Sequence, residues 1–238
     1  MLFRSGSLYG SNRRLIDFDY LTYEQYLPEI AFSATDGYII SWLDKRSGTQ
    51  RVYLQRVTRA AGLIGANVNI SNNAVNFTDW YISMAVNSSG NLAVAWASVD
   101  GIDKILLREF SAGVIPDDTV ITVSNFPTGS KWETAIAFDN ANNLYCTWSD
   151  SRRGNWDIML KQYDSDSSPL SVDDIIVNDD TEGAHSTQPS IGLMTNIGHL
   201  YGTVYTDTRN DAGDIYFRYT LTNGQLYGDE AKDRKSVV

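Results

Sequence analysis

The chain has 238 residues, 42% of them apolar, which is enough for one or two ordinary domains. With 29 acidic against 19 basic side chains the formal charge is −10, the wrong sign for a surface that must meet phosphates, so nucleic acid is excluded as a partner. The lone Cys146 cannot close an internal disulfide, and His185 and His199 have no second cysteine nearby to complete a zinc site. No apolar window is long enough to span a bilayer, and the first ten residues lack the basic flank and apolar stretch of a secretory signal. The expectation is either a cytosolic protein or a chain whose precursor started earlier. Fourteen Tyr, eight Phe and six Trp beside 18 Gly and only five Pro favour strands over helices.

In chain order, residues 1–19 read as the end of an incomplete unit. Gly6-Ser7-Leu8-Tyr9-Gly10 matches both Gly62-Leu63-Ile64-Gly65 and Gly224-Gln225-Leu226-Tyr227-Gly228, so Met1 falls inside a third strand. A full unit follows at 27–72. It has an alternating run at 29–33, an apolar strand at 38–42, a turn carrying Asp44 and Arg46, a third strand at 51–56 and a weaker fourth at 67–71. The same order recurs over 81–125, with runs at 82–86, 92–96, 104–108 and 119–124. It recurs again over 134–178 (135–138, 144–148, 157–161, 174–178) and over 188–238 (190–193, 200–205, 214–218, 231–238).

The aromatic anchors Trp42, Trp96, Trp148 and Tyr205 lie 54, 52 and 57 residues apart. Three of them are followed by Asp-x-Arg, giving the pairs Asp44 with Arg46, Asp150 with Arg152 and Asp207 with Arg209, while Trp96 has neither partner. Four antiparallel strands in roughly 50 residues is the arithmetic of a propeller blade. A β-sandwich or β-solenoid would show similar turn spacing, but neither has a reason to repeat Trp-x-Asp-x-Arg-x-Gly, whereas radially packed blades must present the same wedge each time. The expected fold is all-β, one β-propeller region of about four and a half four-stranded antiparallel blades. The last unit already has its own outer strand, so the two ends do not complete one another. The chain is therefore expected to be a segment of a larger propeller, or to rely on further blades or a partner to cover an open edge.

The pattern Trp148-x-Asp150-x-Arg152-x-Gly154-x-x-Asp157-Ile158-x-Leu160-Lys161, with the hairpin at 62–69, resembles the repeat of bacterial secreted and cell-surface β-propeller proteins of the sialidase-like superfamily. The resemblance runs along nearly the whole chain. It implies an extracellular or cell-envelope location and a non-catalytic binding or scaffold role. The Ser-x-Asp-x-Gly-x-x-Trp box of sialidases proper is absent, and no catalytic residue carries over.

The three Asp/Arg pairs read as turn locks, because a feature stamped on several blades is architectural, whereas one site on a ring needs different groups from different blades. Unique residues gather in the connections that join blades. There Tyr23, Trp80, Trp132 and His185 combine aromatic faces with hydrogen-bonding neighbours and are the candidates for binding a protein or glycan. Packing between blades is the competing reading, strongest for Tyr26, Tyr81 and Trp132. The alternative to a binding module is a secreted glycoside hydrolase with Asp79, Glu133 or Glu182 as its carboxylates. None of the blade-joining segments beyond Arg14 supplies an arginine to clamp an acidic substrate. No cofactor or metal is expected. The acids at Asp173-Asp174 and Asp179-Asp180 are read as solvated, with Ca²⁺ as the weaker option, because no spaced Asp-x-Asp-x-Asp loop occurs.

Overall fold

The computed structural model describes residues 14–15, 22–35, 37–71, 78–112, 120–124, 126–179, 183–194, 200–210 and 213–232. Of the incomplete unit expected at 1–19, all but Arg14 and Leu15 lies outside them, as do residues 233–238 of the last expected strand and Glu182.

Among the described residues there are sixteen strands and no helix. The first sheet contains β1 (Gln25–Ser33), β2 (Gly37–Asp44), β3 (Arg51–Val57) and β4 (Leu63–Asn69). The second contains β5 (Thr78–Val86), β6 (Leu92–Val99), β7 (Asp103–Phe110) and β8 (Ile121–Thr122). The third contains β9 (Lys131–Phe138), β10 (Leu144–Asp150), β11 (Asp157–Tyr163) and β12 (Ile175–Ile176), and the fourth β13 (Ser186–Met194), β14 (Leu200–Asp207), β15 (Asp214–Leu221) and β16 (Leu226–Lys232). Each sheet is an antiparallel meander in chain order. β1 packs on β5, β5 on β9, and β9 on β13, so the first strand of every sheet is the inner one. The described residues form four four-stranded blades of a β-propeller segment.

Three apolar cores fill the spaces between the four blades. The side chains of β6 show how the wedge is made: Leu92, Val94 and Trp96 pack toward the first sheet, while Ala93, Ala95 and Ala97 face the third. Those alanines leave the volume that Trp148 and Met159 fill from the other side, both at 2% exposure or less. A third cluster, with Tyr145, Tyr201, Tyr205 and Tyr216, joins the third blade to the fourth. Each fully buried large side chain of this kind contributes about 1.5–3 kcal/mol. At the two ends of the segment large apolar side chains remain exposed, Ile30, Phe32 and Tyr38 on the first blade and Val204, Ile215 and Tyr227 on the last.

Every inner strand starts four residues ahead of the alternating run read from the sequence, and the reason is a bulge. The pairing of inner and second strands shifts between Tyr26 and Glu29, between Trp80 and Ile82, between Trp132 and Ala135, and between Thr187 and Ser190. An extra residue on the inner strand inverts the in-out alternation beyond it, so a period of two cannot be followed through. Tyr26, Tyr81 and Trp132, expected just ahead of the inner strands, are therefore inside them.

Candidate functional site

The Asp-x-Arg turns come first because they frame the site. Asp44 Oδ2 accepts from Trp42 Nε1 at 2.9 Å and from Arg46 at 2.7 Å, and Asp44 Oδ1 accepts the Arg46 backbone N–H at 2.8 Å. The guanidinium then lies 4.3 Å from the centre of the Tyr53 ring. Asp150 repeats the set with Trp148 and Arg152, and Asp207 with Arg209, whose guanidinium lies over Tyr216. Burial opposes ionisation of Asp44 and Asp207, but the bonds from arginine outweigh it and hold both carboxyls below the usual range.

The second blade solves the same problem differently. Its turn has Ser98 where the others have Asp, and the carboxylate sits across the strand pair on Asp79. Ser98 Oγ donates to Asp79 Oδ1 at 2.7 Å, the exchange of the fourth blade's Ser186 Oγ to Asp207 Oδ2 bond at 2.6 Å. Asp79 is 1% exposed with Arg51 at 3.9 Å, and burial prevails over Ser71, Ser98 and Arg51 to raise its carboxyl above the usual range.

At the propeller axis the four bulges converge. Leu27, Tyr81, Glu133 and Gln188 stand at equivalent positions with φ of 50°, 47°, 55° and 58°, the left-handed region that side-chain-bearing residues seldom occupy. All four line one cavity of about 470 Å³, together with Pro28, Glu29, Ile82, Thr134 and Pro189. The bulge is architectural, since every blade has it, but the side chain it delivers differs from blade to blade. Glu133 Oε2 accepts from Ser149 Oγ at 2.9 Å and from the Gln188 backbone N–H at 2.7 Å, which orients the carboxylate and ties the third blade to the fourth. Burial raises the Tyr81 hydroxyl above its usual value, and the nearby Glu133 charge adds to the effect. Glu29 keeps solvent access at the mouth, yet partial burial raises its carboxyl too.

A row of aromatic rings leads away from this cavity. Trp132, 42% exposed, has ring centroids 6.4 Å from Tyr81 and 4.9 Å from Trp156. His185 continues the row, its Nδ1 accepting the Trp156 backbone N–H at 3.2 Å. The loop ahead of Trp132 is held tightly: Lys131, 1% exposed, donates to the carbonyls of Thr128 and Gly129, and Ser130 and Ser151 exchange two bonds.

Of the residues singled out from sequence, Trp132 and His185 lie in this row and Glu133 in the cavity. Trp80 (39% exposed) and Tyr23 (44% exposed) are on the surface but do not line the cavity. Asp79 lies buried beneath its turn, and Glu182 is outside the described residues. Glu29, Leu27, Gln188 and Trp156 were missed. Glu29 looked like one more polar residue in an alternating strand, and no local signal marked the others. Asp174 is not a solvated acid: it is 1% exposed on its side chain and paired with Arg152 at 2.7 Å and Lys161 at 3.5 Å. Among the described residues no group of three His, Cys, Asp or Glu side chains is placed to hold a metal ion.

No family model and no curated protein matches the sequence. The fold does resemble solved structures. A thermostable family-43 glycoside hydrolase superposes with a TM-score of 0.55 at 12% identity over 89% of this chain and 77% of that one. An α-L-arabinanase of Penicillium chrysogenum, complexed with arabinobiose, gives 0.53 at 16% identity over 87% of this chain and 66% of its own. An α-L-arabinofuranosidase of Fusarium graminearum, in complex with an iminosugar inhibitor, gives 0.55 at 14% identity over 87% and 66%. The chain thus spans about two thirds to three quarters of these proteins, and what it shares with them is the propeller fold.

Proposed function

We propose that this propeller segment recognises a glycan in its central cavity, as the binding module of an exported or cell-surface protein. One observation carries the reading: four blades use the same left-handed bulge to bring four different side chains, Leu27, Tyr81, Glu133 and Gln188, to one cavity. Apolar and aromatic walls with a few fixed polar groups suit a sugar ring. The glycan-active enzymes among the solved relatives of the fold support this choice of ligand over a protein. In this reading Trp132 and Trp156 extend the site beyond the cavity, Asp79 belongs to the blade frame, and the exposed apolar faces of the end blades are covered by further blades or a partner chain. The test is a glycan array followed by titration of the best ligand. Trp132→Ala and Tyr81→Phe should weaken binding, Trp132→Ala by about 1–3 kcal/mol, while a module that ignores every glycan sinks the reading.

A second reading is favoured by the presence of two carboxylates, Glu29 and Glu133, in one cavity. A glycosidase needs such a pair across the scissile bond. Turnover of fluorogenic glycosides that vanishes in Glu133→Gln would establish hydrolysis and replace the non-enzymatic reading.

A further inference from the structure

The central cavity carries a charge asymmetry that bears on which glycans it can accept. Among the described residues that line it there are two carboxylates, Glu29 and Glu133, and no lysine or arginine. Two arginines of the neighbouring blade turns are committed elsewhere: Arg152 is held between Asp150 and Asp174, and Arg209 among Asp179, Asp207 and Glu230. Lys131 is only two residues from Glu133, yet its ammonium is turned to the Thr128 and Gly129 carbonyls at 2.9 and 3.0 Å. A bulge could also offer a backbone N–H to an anion, but the N–H of Gln188 is already taken by Glu133 Oε2. Among the described lining residues, then, no cation offsets the two carboxylates, and the Gln188 N–H is satisfied internally.

Resting on the glycan reading above, we propose that the cavity is selective for uncharged sugars and rejects uronic acids and sulfated sugars. Hydroxyl groups of a neutral sugar donate to Glu29 and to Oε1 of Glu133, the oxygen that neither Ser149 nor Gln188 uses, while the ring lies along Leu27, Ile82 and Tyr81. A carboxylate on the sugar meets two like charges at short range in a partly desolvated space, each costing on the order of tenfold in affinity.

The test is calorimetric titration of the intact chain, at pH 7 and low ionic strength, with neutral arabino-, xylo- and cello-oligosaccharides and with tetragalacturonate. The expected result is a binder in the neutral set and tetragalacturonate weaker by roughly a hundredfold, two like charges at tenfold each. The Glu29→Gln/Glu133→Gln variant should narrow that gap tenfold or more, and added salt should narrow it in the unaltered protein, a check that does not depend on the variant folding. Tetragalacturonate binding as tightly as the best neutral sugar overturns the inference and leaves the glycan reading standing, as does a gap unaffected by both charge removal and salt. Binding of neither class overturns the glycan reading itself.

Discussion

Glu133 of the third blade accepts a hydrogen bond from the backbone N–H of Gln188 in the fourth, at 2.7 Å, and both residues are in left-handed backbone. The same carboxylate oxygen takes the Ser149 hydroxyl, so one side chain joins two blades at the axis. Glu133→Gln keeps an acceptor in place and should change stability by less than about 0.5 kcal/mol. Glu133→Ala removes the acceptor from both donors and should cost about 1–2 kcal/mol. Urea unfolding of the two variants gives the comparison, and equal losses would show that the bond does not join the blades.

Asp79 should respond to pH in the opposite sense to its counterparts. Its carboxyl is raised, so its contribution to stability is fully present below about pH 4, the range of an unfolded aspartate, and is lost as pH rises through the folded value. Asp44 and Asp207 are lowered, so theirs is present above that range and lost as pH falls through the folded values. Asp79→Asn, which retains an acceptor for Ser98, should flatten the decline in stability that sets in above about pH 4 and leave the acid limb as it was. Unfolding free energies measured as a function of pH check this, and a steeper decline in the variant would contradict it.

The exchanged pair in the second blade can be exchanged back. Ser98→Asp alone puts two carboxylates at one buried step of the strand pair and should be strongly destabilising. Adding Asp79→Ser rebuilds the arrangement of Ser186 and Asp207 and should recover at least about 1.5 kcal/mol of the loss. A double-mutant cycle by denaturant unfolding measures the coupling, and strict additivity would mean that the two positions are not equivalent.

Gly129 and Gly154 both have positive φ, 74° and 100°, but their surroundings differ. A Cβ on Gly129 would fall 2.4 Å from the Arg152 backbone nitrogen, whereas one on Gly154 meets nothing within 4 Å. Gly154→Ala should cost about 1 kcal/mol, the backbone term alone. Gly129→Ala must also push the loop off the Arg152 turn, and should cost about 3 kcal/mol or more while changing the near-ultraviolet signal of Trp132. Similar melting temperatures for the two variants would count against the tight loop-to-turn packing.

The regular parts of the fold were legible because they repeat. Trp42, Trp96, Trp148 and Tyr205 recur at a near-constant interval, three of them with Asp-x-Arg turns, and burying the same wedge in each blade requires the same kind of residue. Second and third strands could be followed from sequence because pleating enforces a period of two or a continuous apolar run. The inner strands could be followed only beyond their bulges, and the residues at the bulges, Leu27, Tyr81, Glu133 and Gln188, line the cavity, of which only Tyr81 and Glu133 stood out in the sequence. Of the aromatics read from the joining segments, Trp132 lies beside the cavity with His185 next to Trp156, Tyr23 and Trp80 do not line it, and Trp156 carried no signal of its own.

By itself, then, the sequence determined the blade: its strand count, its aromatic anchor and its charged turn, all set by short-range bonds and a repeated packing surface. Only the tertiary structure decided which residues share the axis. Glu29 and Glu133 are about a hundred residues apart and come to line one cavity through the packing of inner strands across two interfaces, a relation that no local pattern encodes. It also decided where Asp79 belongs, because a carboxylate in a joining segment looks the same in sequence whether it faces the cavity or, as here, crosses the strand pair to stand in for a missing turn aspartate.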